Sequence, residues 1–385
     1  MNLNYGVIRA DLPTHKPDIL RLWSNEAPHP TLFERRYAWS FEEIPSSGPR
    51  ACWLLVNHER QETAGAFCLS QRRFRVDHES MDLYRAADLS VDARHRVIWP
   101  ARQLVASACN EAKTKGQIVF ACPNKLAASV LRLSGFVTCG DLIRYAKVLR
   151  VEPYLRRMLR HPLAAKAAAV PAQYALQALS YETWKGLPKG LVVAPVEEFD
   201  DRFDRLWERA ASRFSIVGER TAAYLRWRYQ RYPMGGYAAT GLFSDDGAVL
   251  HAYAIVHGAG DHLTISDLFF ERTDRLALLL ADVIRRARRA GAASIAVNLF
   301  GGEAIIPLLR RFGFSARPDR RPVLFFPATD TERLAFLSNP SNWYFTSGDD
   351  EEEIAIEPAR DQAAPLGGRP AVHTQTSAAA CQVDR

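Results

Sequence analysis

The sequence has few of the residue patterns that would tie it to a metal, a disulfide framework or a membrane. It has six cysteines (Cys52, Cys68, Cys109, Cys122, Cys139 and Cys381), and no two form a CxxC pair. Their spacing fits neither a zinc site nor a disulfide scaffold, so reduced, buried thiols are expected. No cysteine has a histidine beside it in sequence to activate it as a nucleophile. The ten histidines show no HxH or HxxxH pattern, which predicts no metal. No GxSxG, P-loop or GxGxxG motif stands out. No stretch approaches the ~20 apolar residues that span a bilayer. Met1–Asp18 carries Arg9, Asp11, His15, Lys16 and Asp18 rather than the apolar run of a signal peptide. The expectation is a cytoplasmic protein with no transmembrane segment.

What is present suits a folded protein. Apolar residues make up 48% of the chain, enough for real cores. At ~100–200 residues per domain, 385 residues predict two domains. The formal charge of +7 is unevenly spread. From Asp349 onward there are eight acids and three arginines, so the rest of the chain carries about +12. A basic body suits anionic ligands such as coenzyme A, nucleotides, lipid head groups or tRNA, and equally a solvated arginine-rich surface.

Two boundaries are marked by composition. His161–Pro171, running on to Gly186–Gly190, reads as an interdomain helix followed by a turn-rich linker. Asp349–Glu353 opens an acidic tail, and Ile354–Arg385 lacks periodicity and is expected to be disordered. The predicted divisions are 1–150, a linker over 151–190, a second domain over 191–348 and a tail over 349–385.

Between these marks the halves look alike. Asp88-Leu-Ser-Val91 precedes a helix, a strand and Gly135-Phe136; Asp267-Leu-Phe-Phe270 precedes a helix, a strand and Gly313-Phe314. The Asp-to-Gly spacing is 47 residues in one half and 46 in the other. Ile98, Ala101, Val105, Ala108 and Ala112 share one helical face, as do Leu276, Leu279, Leu280, Val283, Ile284 and Ala287. Gly116 and Gly291 suit C-terminal caps. Arg36-Tyr37 and Arg228-Tyr229 each precede a hairpin-like pair of apolar segments. Each half reads β-α-β-β-β-α-β-α-β, which implies an α/β fold built on a mixed sheet with helices on its faces, arisen by internal duplication.

Asn124-Lys-Leu-Ala127-Ala-Ser-Val130-Leu131-Arg-Leu-Ser-Gly135-Phe136 resembles the last-helix signature of the GNAT acyl-CoA N-acyltransferase superfamily, and Gly302–Phe314 is a weaker second copy. The resemblance covers roughly 5–150 and 191–327 and implies two tandem acyl-CoA N-acyltransferase-like domains. It implies acyl-CoA as co-substrate, bound where two parallel strands splay apart, with its pyrophosphate on backbone amides at a helix N-terminus. The family's Arg/Gln-x-x-Gly-x-Gly/Ala loop matches Arg96-Val-Ile-Trp99-Pro100-Ala101, with Trp99 in place of the central glycine. Leu89, Val91, Arg96, Trp99, Ala101 and Asn124 are thereby the candidate cofactor-binding residues. The second loop, Glu271–Arg275, has no glycine and two acids. Leu131 and Leu309 replace the tyrosine that many members use to protonate the thiolate.

Asp88 and Asp267 lie where the family often places its base, which makes them the candidate catalytic residues; a strand-end aspartate is also a common cap. The aromatic–arginine cluster Tyr224–Pro233 could stack on bases or sugars, or form a helix with an aromatic core face and arginines pointing outward. That cluster and Asn342–Asp350 resemble tandem GNAT-like proteins of bacterial surface-polysaccharide pathways. Tyr37, Arg228, Tyr229 and Trp343 are the candidate substrate-binding residues, Trp343 being alternatively a terminal aromatic plug. Tyr154–His161 and the Ala/Leu-rich run after it suit either peripheral contact with an anionic membrane or a connecting helix packed between domains.

The expected activity is transfer of an acyl group from acyl-CoA to an amine on a sugar, nucleotide-sugar or amino acid. Two alternatives stand beside it: a FemAB-like transferase that takes its donor from aminoacyl-tRNA, and a non-catalytic GNAT-fold module that binds a polysaccharide-synthesis partner or ligand, where the leading reading takes a small-molecule or saccharide substrate.

Overall fold

Each half of the chain gives its last long strand to the other half. The computed structural model describes residues 4–24, 30–45, 50–159, 161–259, 261–327 and 330–350, so the segment from Ile354 onward lies outside the described residues. The first half runs β1 (Tyr5–Arg9), α1 (Leu12–Ser24), α2 (Pro30–Tyr37), β2 (Ala51–Asn57), β3 (Glu62–Val76), β4 (Glu79–Val91), α3 (Ile98–Thr114), β5 (Ile118–Ala121), α4 (Lys125–Leu133) and β6 (Val137–Val148). Helices α5 (Glu152–Met158), α6 (Pro162–Ala178) and α7 (Tyr181–Trp184) connect the halves. The second half runs β7 (Leu191–Val196), α8 (Asp201–Ala210), β8 (Ile216–Gly218), α9 (Ala222–Leu225), β9 (Ala238–Ser244), β10 (Leu250–Ala259), β11 (His262–Phe270), α10 (Thr273–Arg289), β12 (Ser294–Gly301), α11 (Ile306–Arg311) and β13 (Ser315–Phe326). It closes with α12 (Thr331–Ser338), β14 (Trp343–Thr346) and a helical turn, α13 (Ser347–Asp350).

The main sheet has the order β1-β2-β3-β4-β5-β13-β6-β12-β11-β10-β9-β7. It is symmetric about the antiparallel β6–β13 pair. Strand β13 completes the first half by pairing with β5 (Leu324 opposite Ala121), and β6 completes the second by pairing with β12 (Ser294 opposite Val148).

Alternation along the strands builds the first half's core on both faces of the sheet. Cys52 and Leu54 pack with Ile19, Trp23 and Phe33 of α1 and α2, while Trp53 and Leu55 pack with Leu104, Val105 and Ala108 of α3. On α10 the expected apolar face is buried, and Ala277, Leu278 and Ala281 are buried beside it. Gly116 and Gly291 have φ of +68° and +80°, as the predicted caps require. Ile98, assigned to the buried face of α3, is instead exposed, because it starts the helix ahead of the first turn that reaches the core. Pro171 lies inside α6, which runs on to Ala178.

Strand β14 closes a ring. It pairs with β12 on one edge and β8 on the other, and β8 pairs with β3. The circuit β3-β4-β5-β13-β6-β12-β14-β8 therefore returns to its start. All eight strands contribute to one apolar cluster that includes Phe74, Leu83, Phe120, Phe325, Leu142, Phe300, Trp343 and Ile216. Small closed rings are filled by side chains in this way.

Two aspartates assigned from sequence to the acidic tail belong inside the fold. Asp349 and Asp350 are 1% and 3% exposed. Asp349 is bound by Arg72 (3.0 Å) and Arg220 (2.7 Å), and Asp350 by Arg321 (3.2 Å). A buried carboxylate needs such partners, and these arginines hold the two residues within the second half rather than beyond its end.

Candidate active site

The parallel strands β4 and β5 pair only from Leu83–Ile118 to Arg85–Phe120 and then part. A bulge in β4 accompanies the parting. Ala87 faces Cys68 and Ser90 faces Ala66, so Asp88 and Leu89 share one partner position on β3. Asp88 has φ of +50°, a left-handed conformation that a non-glycine residue adopts only where its surroundings impose it. Its carboxylate is fastened by Arg36 (2.5 Å) and Arg50 (3.0 Å). Burial pushes the Asp88 pKa up, but Arg36, Arg50 and Arg85 outweigh it and hold the acid below its ordinary range. This suits a permanent anion better than a proton acceptor.

The loop after β4 leads to the start of α3. Asp92 binds Arg94 through side chain and backbone, which pulls its pKa down to about 2. His95 is clamped between the Tyr5 hydroxyl (2.8 Å) and Glu62 (3.0 Å). Arg96 donates through Nε to the Val91 carbonyl (2.9 Å). Helix α3 then begins with no side-chain cap and no acid in its first turn. Its first amides are therefore available to an anion, as the helix dipole favours, although Pro100 supplies none. Trp99 is 53% exposed, with the Arg102 guanidinium 4.9 Å from its ring centre. Val97 and Ile98 are exposed beside it.

The other candidate donor-side residues have structural duties. Ala101 and Val91 are buried, and Leu89 packs against the first-half core. Asn124 caps α4, accepting from the Ala127 amide at 2.9 Å. Leu131 and Leu309 are core residues.

The corresponding place in the second half is occupied. Strands β11 and β12 pair up to Ile265–Val297, and β12 then turns its free edge to β14, with Leu299 opposite Thr346 and Gly301 opposite Tyr344. The Tyr344 hydroxyl crosses to the Leu268 carbonyl of β11 (2.8 Å). Helix α10 starts with Asp274, paired to Arg272. A phosphate there would meet a carboxylate and a filled cleft.

Asp267 lies in that filled region. Its Oδ1 accepts from Arg220 (3.1 Å), the Leu268 amide (3.0 Å) and Thr346 (2.9 Å), and its Oδ2 from Tyr253 (2.9 Å). Burial, reinforced by Asp349, raises its pKa despite Arg220. It is 2% exposed and anchors a network rather than facing a substrate.

The candidate substrate residues are not brought together. Tyr37 is buried in the first half, donating to the Leu12 carbonyl, and burial and Glu42 push its hydroxyl up to about 12. Arg228 is fully buried rather than pointing outward; it donates to the Gly348 carbonyl (3.4 Å) and Tyr237 (3.2 Å). Tyr229 is buried beside it. Trp343 plugs the strand ring, its indole donating to the Leu337 carbonyl.

Sequence reasoning missed a cleft between the halves. Strand β3 loses β2 after Leu69 and meets β8 only at Phe74. A cleft of about 60 Å³ opens at this gap, lined by Ser70, Gln71, Arg72, Glu219, Thr221 and Tyr224 among others. Ser70 Oγ and Arg72 Nε are buried there without a hydrogen-bond partner. Ser70 pairs across the sheet with Arg85, the last β4 residue joined to β5. Arg321 donates to the Cys122 carbonyl just past β5 and to Asp350. No local signal marks this cleft, because its walls are about 150 residues apart in sequence.

A β4 bulge, a parted parallel pair and an uncapped helix beside the gap form one arrangement. The fold is GNAT-like. Similar solved structures include a probable N-acyltransferase from Enterococcus faecalis V583 (TM-score 0.59, 11% identity, 83% of this chain and 72% of that one). A GCN5-related N-acetyltransferase from Kribbella flavida gives a TM-score of 0.56 at 13% identity, over 84% and 72% of the two chains. Saccharomyces cerevisiae N-myristoyltransferase with bound myristoyl-CoA gives 0.53 at 10% identity, over 85% and 79%. No family model matches the sequence, and no curated protein matches it. At these identities the GNAT-like likeness is one of fold. Among the described residues no helix is long and apolar enough to cross a membrane, and no group of three or more metal-ligating side chains is placed to hold an ion.

Proposed function

We propose that this chain is a cytoplasmic N-acyltransferase that binds one acyl-CoA, in the first half only. The observation that carries the reading is the asymmetry of the two clefts: β4 and β5 part beside an uncapped helix start, whereas β14 occupies the space between β11 and β12. The amides of Ile98 and Trp99 suit the donor's phosphates, with Arg96 and Arg102 nearby. The β4 backbone at Leu89–Val91 would run beside the donor's extended arm, and amides of this strand would stabilise the oxyanion.

The acceptor is a primary amine on a sugar, nucleotide-sugar or amino acid, consistent with a role in surface-polysaccharide synthesis. It enters through the cleft at Ser70–Arg73. The neutral amine attacks the thioester carbonyl, the C–N bond forms and the C–S bond breaks. The amine's proton passes to solvent, and the thiolate takes one from solvent, since Leu131 offers no donor. Asp88, held ionised by Arg36 and Arg50, keeps the bulge in place, Glu219 is the carboxylate that lines the acceptor's cleft, and Asp267 anchors the buried network with Arg220.

Calorimetric titration with acetyl-CoA and longer acyl-CoA tests the reading. One site per chain is expected. Absence of binding for every chain length overturns the reading, and two equivalent sites overturn the assignment to one half.

A further inference from the structure

The outward face of α6 is as apolar as its inward face. The inward side carries Ala165 and Ala169, both buried, and is anchored by Gln173, which accepts from the Val151 amide (3.0 Å) and donates to the Leu149 carbonyl (2.9 Å). One half-turn away, Leu163, Ala167, Val170 and Tyr174 recur at the spacing of a single helical stripe. Leu163 and Tyr174 are each 72% exposed. Beyond the helix, Leu179 (86%) and Trp184 (75%) are exposed as well. A solvent-facing surface of a helix is normally polar, so a stripe of this kind implies something that covers it.

We propose that this face docks on an anionic membrane surface. Charge selects that occupant. No Asp or Glu occurs between Glu152 and Glu182, while Arg156 and Lys166 lie within that span and Lys185 and Lys189 just beyond it. Lys166 is exposed on the flank of the stripe, and Tyr174 and Trp184 are residues that settle at the headgroup level. The combination of an apolar stripe, basic flanks and interfacial aromatics matches a helix lying in the plane of a bilayer. A symmetric contact with a second copy would instead bring two acid-free basic faces together. Pro171 lacks the amide that would bond the Ala167 carbonyl, which leaves that outward carbonyl for water or a headgroup. This surface is separate from the donor cleft, so it stands whether or not the protein transfers acyl groups.

Flotation of the full chain with vesicles tests the proposal. Binding is expected to vesicles containing about a third phosphatidylserine, at least about tenfold tighter than to phosphatidylcholine alone, and to weaken as NaCl rises from about 0.1 to about 0.5 M. Val170→Glu and Tyr174→Glu, both at exposed positions, are expected to lower that binding about tenfold or more while circular dichroism and acyl-CoA titration stay unchanged. Three results would overturn the proposal: no binding to anionic vesicles, undiminished binding by both variants, or a dimer that Val170→Glu dissociates.

Discussion

Trp39 and Trp227 stack face to face across the junction of the halves, their ring centres 4.5 Å apart and their planes within 4°. Each indole also donates to the other's carbonyl: Trp39 to Trp227 at 2.7 Å and Trp227 to Trp39 at 2.9 Å. Both sit at the second residue of a π-helical turn, Ala38–Glu42 and Arg226–Gln230. This reciprocal pair joins the halves through one stack and two hydrogen bonds. Trp227→Ala is expected to cost about 3–5 kcal/mol, from lost burial and stacking and from the Trp39 carbonyl left without its indole donor. Urea unfolding would measure it; a loss under about 1 kcal/mol would show that the stack contributes little.

Asp349 joins strands that are far apart in sequence. It touches Arg72 on β3 and Arg220 between β8 and α9, while Arg220 also holds Asp267. Asp349→Asn should destabilise the fold by about 3–5 kcal/mol, because two buried guanidiniums lose their shared counter-charge. Thermal unfolding of the variant checks this. An unchanged midpoint would contradict the burial of residue 349.

Asp88 predicts a pH dependence with a definite sign. Its folded pKa is depressed, so its contribution is complete above the ordinary aspartate value of about 3.9 and is lost as pH falls through the folded value. Asp88→Asn should therefore be less stable than the parent near neutrality, and the gap should narrow below about pH 4. Urea titrations across that range would show the convergence; a gap that widens with acid would reverse the assignment.

Ile98→Glu separates helix stability from donor binding. An acid in the first turn of α3 complements the helix dipole, and residue 98 is exposed, so stability should hold or rise slightly. The same carboxylate would oppose the donor's phosphates, and acyl-CoA binding should weaken roughly five- to tenfold. Equal affinity in calorimetry would move the phosphates away from this helix.

Gly301 is required by contact as well as by conformation. Its φ is +70°, and a Cβ there would strike the backbone oxygens of Trp343 and Pro340. Gly301→Ala should loosen β14 from β12 and destabilise the ring by about 2 kcal/mol or more. Faster exchange of the β14 amides would report the loosening.

The order of elements was readable because it is written locally. The stripe on α10, the turns at Gly116 and Gly291 and the alternation on β2 each depend on neighbours a few residues away. The strand exchange and the ring depend on pairings such as Leu324 with Ala121, which no local pattern encodes. Asp349 and Asp350 were misread for the same reason: an acidic run looks like a tail until Arg72, 277 residues earlier, is placed beside it. The Arg36-Tyr37 and Arg228-Tyr229 dipeptides suggested one correspondence between halves, whereas the π-helical turns align Trp39 with Trp227. Trp99, which stands where the resembled family has a glycine, is exposed at the start of α3 beside Arg102.

The exchange of β6 and β13 also sets the order of events at the ribosome. When β5 leaves the exit tunnel, the strand that must cover its free edge has not been made, since about 200 residues separate Ala121 from Leu324. At ~5–20 residues per second, synthesis of that stretch takes roughly 10–40 s. During that interval the N-terminal half presents an unpaired β5 edge, the kind of surface that invites aggregation. The nascent chain therefore has to be protected by a chaperone or by slow, late consolidation until its own last long strand arrives.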